Sequence, residues 1–478
     1  MNIKTSLFIL FLFSFGISQA QLHRCGALLA EEQLEQRFPG FEKAAEKTFQ
    51  SAKEAINKGI LQNRSSQKVQ VVFHVVYNQP EENVPDQLIY DQLEQLNADF
   101  NWSSANDPIT RNLYRPLAAN ADIEFVLAST DPNGNPTTGI NRVNTDRTGF
   151  INFNFQTILQ AILECGIDIT ADTLTQEQID CLTDALGGTG LDSGLDDIKK
   201  FDTGGVDAWD PDRYINIWVG NYAVELVPGQ GGEPFLLGFA YPPAEAPNWP
   251  AGTLPSNLEE VEGIVLHYQA LGPGNATTGS LVGIADQGKT LSHEMGHYFG
   301  LRHVWGDGDC TEDDGIDDTP DMAGNTQDNL AANFDALNYT CIEFDPINTC
   351  TNDQLPDMYE NMMNYTPEQC QSMFTKEQVS LMTTMLQGPR SGLLDALLGT
   401  PKIVNEDLEF FPNPVDDILN IRFSGVTNFE QVSIFDLNGK MVLQGKEVEL
   451  NVGQLLAGMY LIRLDTGDKI YQSRFVKN

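Results

Sequence analysis

Eleven consecutive residues constrain this chain more than the rest of it: His293-Glu294-Met295-Gly296-His297-Tyr298-Phe299-Gly300-Leu301-Arg302-His303. On a helix, His293 and His297 are four residues apart and share one face, so both imidazoles can reach one zinc ion. Glu294 adjoins the first ligand and can approach the water on that zinc as general base. Gly300 lets the chain leave the helix through a conformation that other residues resist, bringing His303 round as third ligand. Three protein ligands leave a fourth position for water, which is the catalytic arrangement and not the structural one. The chain holds six histidines. Three of them at this spacing are poorly explained as incidental residues of a surface helix.

Charge narrows the function classes further. The 478 residues carry a formal net charge of −39. Nearly all of it lies in residues 65–403, with 50 acidic and 13 basic side chains. Such a field repels phosphate backbones and anionic lipid heads, so no nucleic-acid partner is expected. No apolar run of transmembrane length follows the N-terminus, so no integral membrane segment is expected in the mature form. The acidity reads as the solvated surface of a secreted protein or as carboxylates that bind calcium.

Residues 1–20 read as a secretory signal peptide, with Lys4 before the apolar Leu7 to Phe15 and Ser18-Gln19-Ala20 at its end. Export permits disulfides. Of the seven cysteines, six can pair and one is left over. Residues 21–64 read as a pro-peptide, with a mostly polar helix from Phe41 to Leu61 and a cleavable joint at Asn63-Arg64-Ser65-Ser66. Residues 65–391 form the catalytic domain, with an α/β (α+β) layering. Strands are expected at Val69 to Tyr77, Ile123 to Leu127 and Tyr214 to Val219, and a helix over Asp86 to Phe100. Residues 392–403 are a linker, and 404–478 a separate small all-β domain of short alternating strands.

The His293–His303 segment resembles the long zinc signature of the metzincin metallopeptidases, whose methionine turn is matched by Asn361-Met362-Met363-Asn364-Tyr365. Met363 is then the turn methionine beneath the zinc, and Tyr365 a donor to the developing oxyanion. Within that clan the chain is similar to the pappalysin family and its ulilysin-like members. The resembling blocks include Val72 to Tyr77, Tyr214 to Val219, Leu237 to Ala240, Asp317-Asp318-Thr319-Pro320 and Asn361 to Thr375. The resemblance implies two subdomains around a zinc cleft. It implies endopeptidase activity on protein or peptide substrates that add as a strand to the sheet edge. It implies the disulfides Cys310–Cys350 and Cys341–Cys370, which leaves Cys165 and Cys181 for each other. These last two lie in an insertion over about 145–193 that the family does not match, read as a surface loop with a substrate exosite as the alternative. Calcium is implied near Glu312 to Thr319, with Asp314 and Thr319 as matching ligands, the latter through its carbonyl; a solvated acidic loop is the alternative. Glu368 is the nearest acidic candidate to set specificity for basic residues, with a surface glutamate as the alternative.

Residues 404–478 resemble the immunoglobulin-like sorting domain of type IX secretion, through Phe410 to Val415, Ile434 to Gly439 and Gly458 to Ile462. That implies the type IX machinery as a partner. It also implies export through the periplasm to the surface or exterior of a Bacteroidota-type bacterium. The left-over Cys25, in His23-Arg24-Cys25-Gly26, is the candidate zinc ligand of a latent zymogen, since a thiolate would fill the fourth position. A lipid-bearing or intermolecularly bonded cysteine is the alternative. A catalytically dead adhesin or substrate-binding module on the same fold is the competing view of the whole, and Glu294 beside three histidines argues against it.

Overall fold

The computed structural model describes residues 24–59, 67–105, 107–151, 163–167, 178, 181, 194–224, 233–234, 236–254, 262–326, 340–344, 347–350, 355–395, 402–404, 408–423, 431–435, 441–465 and 469–478. The signal peptide, the joint at 63–66 and most of the 145–193 insertion lie outside the described residues. The chain divides into two compact units, one of residues 1–128 and 138–394, the other of 129–137 and 395–478.

The first unit is built on a mixed sheet. Strand β1 (Gln67–Tyr77), whose β-branched run is buried on both faces, pairs in parallel with β2 (Ile123–Leu127) and β3 (Ile140–Asn144) on one side. On its other side lies β4 (Ile215–Gly220), followed by a strand at Ile264–His267, both parallel. The edge strand β5 (Gly238–Ala240) alone runs antiparallel, so β6 (Ile264–His267) lies between it and β4. Helix α3 (Asp86–Phe100) covers one face through Leu88, Ile89, Leu96 and Phe100. The same core takes in α4 (Thr290–Tyr298), which carries the zinc signature, and α5 (Lys376–Gln387), which opens on a capping box of Thr375 and Gln378. The mixed α/β layering and the strand and helix positions agree with the sequence reading.

The segment expected as a pro-peptide differs from its expected polar character. Two helices precede the sheet, α1 (Ala27–Arg37) and α2 (Phe41–Asn57), and both bury a face. Ala30, Leu34, Phe41 and Ala44 enter one cluster with Trp218, Phe239, Tyr241 and Trp249. Phe41 lies edge-on to Tyr241 at 5.9 Å and tilted to Trp249 at 5.8 Å. Adjacent charges such as Glu46 and Lys47 point apart on a helix. Glu46 instead pairs with Arg302, and Arg37 reaches Asp196 at 2.9 Å.

Between α4 and α5 the described chain is irregular and cross-linked. Cys310–Cys350 and Cys341–Cys370 are bonded, as is Cys165–Cys181. Cys25 is the free cysteine, and it is buried. The second unit holds a three-stranded antiparallel sheet and a five-stranded sheet that is antiparallel except where Lys402–Val404 pairs in parallel, around Val415, Leu419, Ile434, Ile462 and Phe475. Among the described residues no helix is long and apolar enough to cross a membrane.

Candidate active site

Helix α4 is fully buried, and one face of it presents His293 and His297 together. Gly300, at φ +87°, turns the chain out of the helix and returns His303 to the same point. Each Nδ1 is taken up by an oxygen: Met362 O for His293 at 2.7 Å, Leu301 O for His297 at 2.9 Å, Asp307 Oδ1 for His303 at 2.5 Å. That fixes each ring with Nδ1 as the donor and Nε2 bare. The bare Nε2 of His297 lies 3.1 Å from Nε2 of both His293 and His303. Burial, with each other's charge, holds His293 well below the ordinary imidazole range, and burial holds His297 at about 3. Converging neutral lone pairs at this spacing repel unless a cation sits among them, so the donor set fits a tetrahedral zinc ion.

A fourth group that could hold a metal ion, Cys25, stands beside them. Its Sγ and the three Nε2 atoms all lie within 4.8 Å of one another. The N-terminal residues reach the cleft through three hydrogen bonds: Gly26 N donates to Gly238 O of β5 at 2.8 Å, Tyr365 Oη donates to Cys25 O at 3.3 Å, and Arg24 donates to Thr366 O. The thiol donates to Glu294 Oε2 at 3.5 Å. Burial, and then the nearby Glu294 charge, pushes the Cys25 thiol up. Burial likewise raises Glu294 well above the usual carboxylate range, and its Oε1 is buried without a hydrogen bond. A buried carboxylate oxygen with no donor is costly, and a water delivered to that point relieves it.

Met363 is completely buried below the histidines, and Tyr365 places its hydroxyl 3.1 Å from His303 Nε2. Sulfur of Met363 packs so closely on Gly296 that a Cβ there would come within 2.4 Å of it. The five residues His293, Glu294, His297, His303 and Tyr365 are thus brought together with Cys25.

Three of the expected residues stand outside this group. The Glu368 carboxylate is fully buried and accepts from Gln287 N at 2.7 Å, Thr290 N at 2.6 Å and Thr290 Oγ1 at 2.7 Å. It holds the N-terminus of α4, where a negative charge meets free N–H groups and the positive helix end. Glu368 therefore supports the helix rather than facing a substrate pocket, which corrects the specificity reading. Asp314 and Thr319 do meet, through the Thr319 hydroxyl, 3.0 Å from each Asp314 oxygen. The sequence reading missed Asp307 and the edge carbonyl of Gly238. Asp307 lies four residues beyond His303, and no local pattern in the sequence marks it as the partner of that ring.

Comparison with known proteins follows the same lines. Residues 282–387 match the peptidase family model described as pregnancy-associated plasma protein-A, and residues 409–478 match the secretion system C-terminal sorting domain. A Tannerella forsythia promirolysin mutant superposes with a TM-score of 0.52 at 30% identity, covering 78% of this chain and 97% of that one. An extracellular metalloprotease of Arthroderma otae is 29% identical over 33% of this chain and 48% of its own length. One from Arthroderma benhamiae is 27% identical over 47% of this chain and 68% of its own. The chain spans about half the length of the first of these curated relatives.

Proposed function

The chain belongs to the pappalysin family of metallopeptidases, and on that footing we propose that it is a zinc-dependent endopeptidase made as a latent precursor and acting on extracellular proteins or peptides. The sorting domain marks it as a protein exported by type IX secretion. The observation that carries the proposal is the convergence of three bare Nε2 atoms beside a buried carboxylate with one oxygen unpartnered.

His293, His297 and His303 would hold the ion, which when bound supplies Lewis acidity and makes water a usable nucleophile at neutral pH. Glu294 then acts as the proton carrier. Its raised affinity for a proton suits it to take one from the attacking water and return it to the departing amine. The Tyr365 hydroxyl, beside His303, donates to the carbonyl oxygen as negative charge builds there. Gly238 O, which now accepts from Gly26, would accept from a substrate backbone laid along β5. Met363 sets the floor under the histidines. Latency falls to Cys25, whose sulfur fills the fourth donor position while residues 27–57 lie docked on the catalytic unit. Calcium near Asp314 and Thr319 would be structural.

The test is casein hydrolysis by the processed protein. Activity should vanish with a zinc chelator and return with zinc, and Glu294→Ala should lower it by several powers of ten while retaining one zinc per chain. Inactive, zinc-loaded wild type, or near-normal turnover in Glu294→Ala, overturns the mechanism.

A further inference from the structure

His303 is held differently from the other two histidines. Nδ1 of His293 and of His297 meets a backbone carbonyl, whereas Nδ1 of His303 meets a carboxylate, Asp307 Oδ1, at 2.5 Å. The His303 side chain is 2% exposed and that of Asp307 is 21% exposed, so the pair is shielded on the histidine side. Trp305 stacks flat on the same ring at 4.3 Å, with planes 7° apart. The imidazole is thus fixed both in its plane and about its axis.

Reaching Nδ1 requires an uncommon backbone. Asp307 has φ +58°, following Gly306 at φ +59°. A non-glycine residue in that region costs of order 1 kcal/mol, and Asp and Asn bear it best. A glycine at 307 would make the same turn without strain, yet could not touch His303. The cost is therefore spent on placing a carboxylate.

We propose that Asp307 is a positioning residue of the metal site, whose carboxylate holds His303 with the proton on Nδ1 and makes Nε2 a stronger donor to zinc than a carbonyl partner would. The proposal rests on the reading of His303 as a zinc ligand. An anionic partner to a ligating imidazole strengthens the ring's basicity and fixes its tautomer, and losing one weakens metal affinity by about 10- to 100-fold. Asp307 acts only through His303; it does not touch the reacting atoms.

The experiment measures the zinc dissociation constant of the full-length precursor by chelator competition, together with the melting temperature of the chelated protein. Asp307→Gly keeps the turn and removes the acceptor. It should bind zinc about 10- to 100-fold more weakly, with a metal-free melting temperature no lower than wild type. Asp307→Asn keeps the turn and an acceptor oxygen without the charge, and should fall between the two. Wild-type affinity in Asp307→Gly overturns the proposal, as does a weakening matched by a lower metal-free melting temperature. Wild-type precursor that takes up no zinc overturns the metal-site reading itself, a result that neither variant would mimic.

Discussion

The Cys25 thiol lies 3.5 Å from Glu294 Oε2, so the proposed pro-segment engages the proposed base as well as the proposed metal position. A segment that filled only the fourth donor position would leave Glu294 able to orient a water. Here the sulfur reaches both groups, with Ala27 N donating to it at 3.3 Å. The proposed latency has two separable parts: the sulfur, and the burial of Leu34, Phe41 and Phe49, each 4% exposed or less.

That separation makes Cys25→Ala informative. The uncut Cys25→Ala precursor should hydrolyse a small fluorogenic peptide at least tenfold faster than the uncut wild type, because the fourth position is then open to water. It should remain slower than processed enzyme, because Gly26 N still occupies Gly238 O and the helices still dock. Rates on the two uncut precursors decide it: if both are equally silent or equally active, Cys25 is not the switch.

Gly296 tests the methionine floor. In a helix interior, Gly→Ala ordinarily stabilises by about 1 kcal/mol. At this site the new Cβ would lie 2.4 Å from the sulfur of Met363, a completely buried side chain. Overpacking of that kind costs about 1–3 kcal/mol. The clash should win, and Gly296→Ala should melt several degrees below wild type by calorimetry. A melting temperature at or above wild type would mean that Met363 does not press on the helix.

What could be read from the sequence was what short spacing encodes. His293, Glu294 and His297 sit on one helical turn, and β1, α3 and β2 follow from local periodicity in β-branched or apolar residues. Glu368 shows the opposite case. Its carboxylate caps a helix that begins 78 positions earlier in the chain, and no local pattern distinguishes that from a pocket residue or a surface glutamate. The buried face of the pro-segment was hidden for a different reason. Ala30, Ala44 and Ala52 contribute to it, and alanine among lysines and glutamates reads equally as a solvated helix. Asp307 was hidden by the φ +58° turn that alone brings it back onto His303.

Two histidines outside the site give a pH dependence. His74, bonded to Asn216 at 2.9 Å, and His267 are completely buried in β1 and β6. Burial lowers each from 6.5 to about 4. The unfolded chain takes up these protons below about pH 6.5 while the folded chain refuses them until about pH 4. Stability present above pH 6.5 is therefore lost as pH falls toward 4, by about 2–3 kcal/mol per histidine. Denaturant melts of wild type and His74→Gln, both chelated, should differ by that much less at pH 4.5 than at pH 7, since only wild type carries the His74 penalty. A wild-type-to-variant difference that stays constant over this range would refute the assignment.

Asp314 carries the calcium question. It is 2% exposed, and burial pushes its carboxyl well above the ordinary range, with Asp313 adding repulsion. Ile316 N at 2.9 Å and the Thr319 hydroxyl are neutral donors, which only partly offset the desolvation of a charge. A divalent cation would offset it fully, and binding to the folded chain alone raises stability by about 2.7 kcal/mol at a hundred times the dissociation constant. Millimolar calcium should therefore raise the melting temperature of chelator-treated protein by several degrees, while magnesium should do less because it demands a tighter octahedral shell. Asp314→Asn removes the charge but keeps the acceptor for Thr319. It should melt close to chelated wild type and lose the calcium response. If chelated wild type does not respond to calcium, or if Asp314→Asn responds as fully as wild type, then Asp314 is a buried carboxyl held by hydrogen bonds alone.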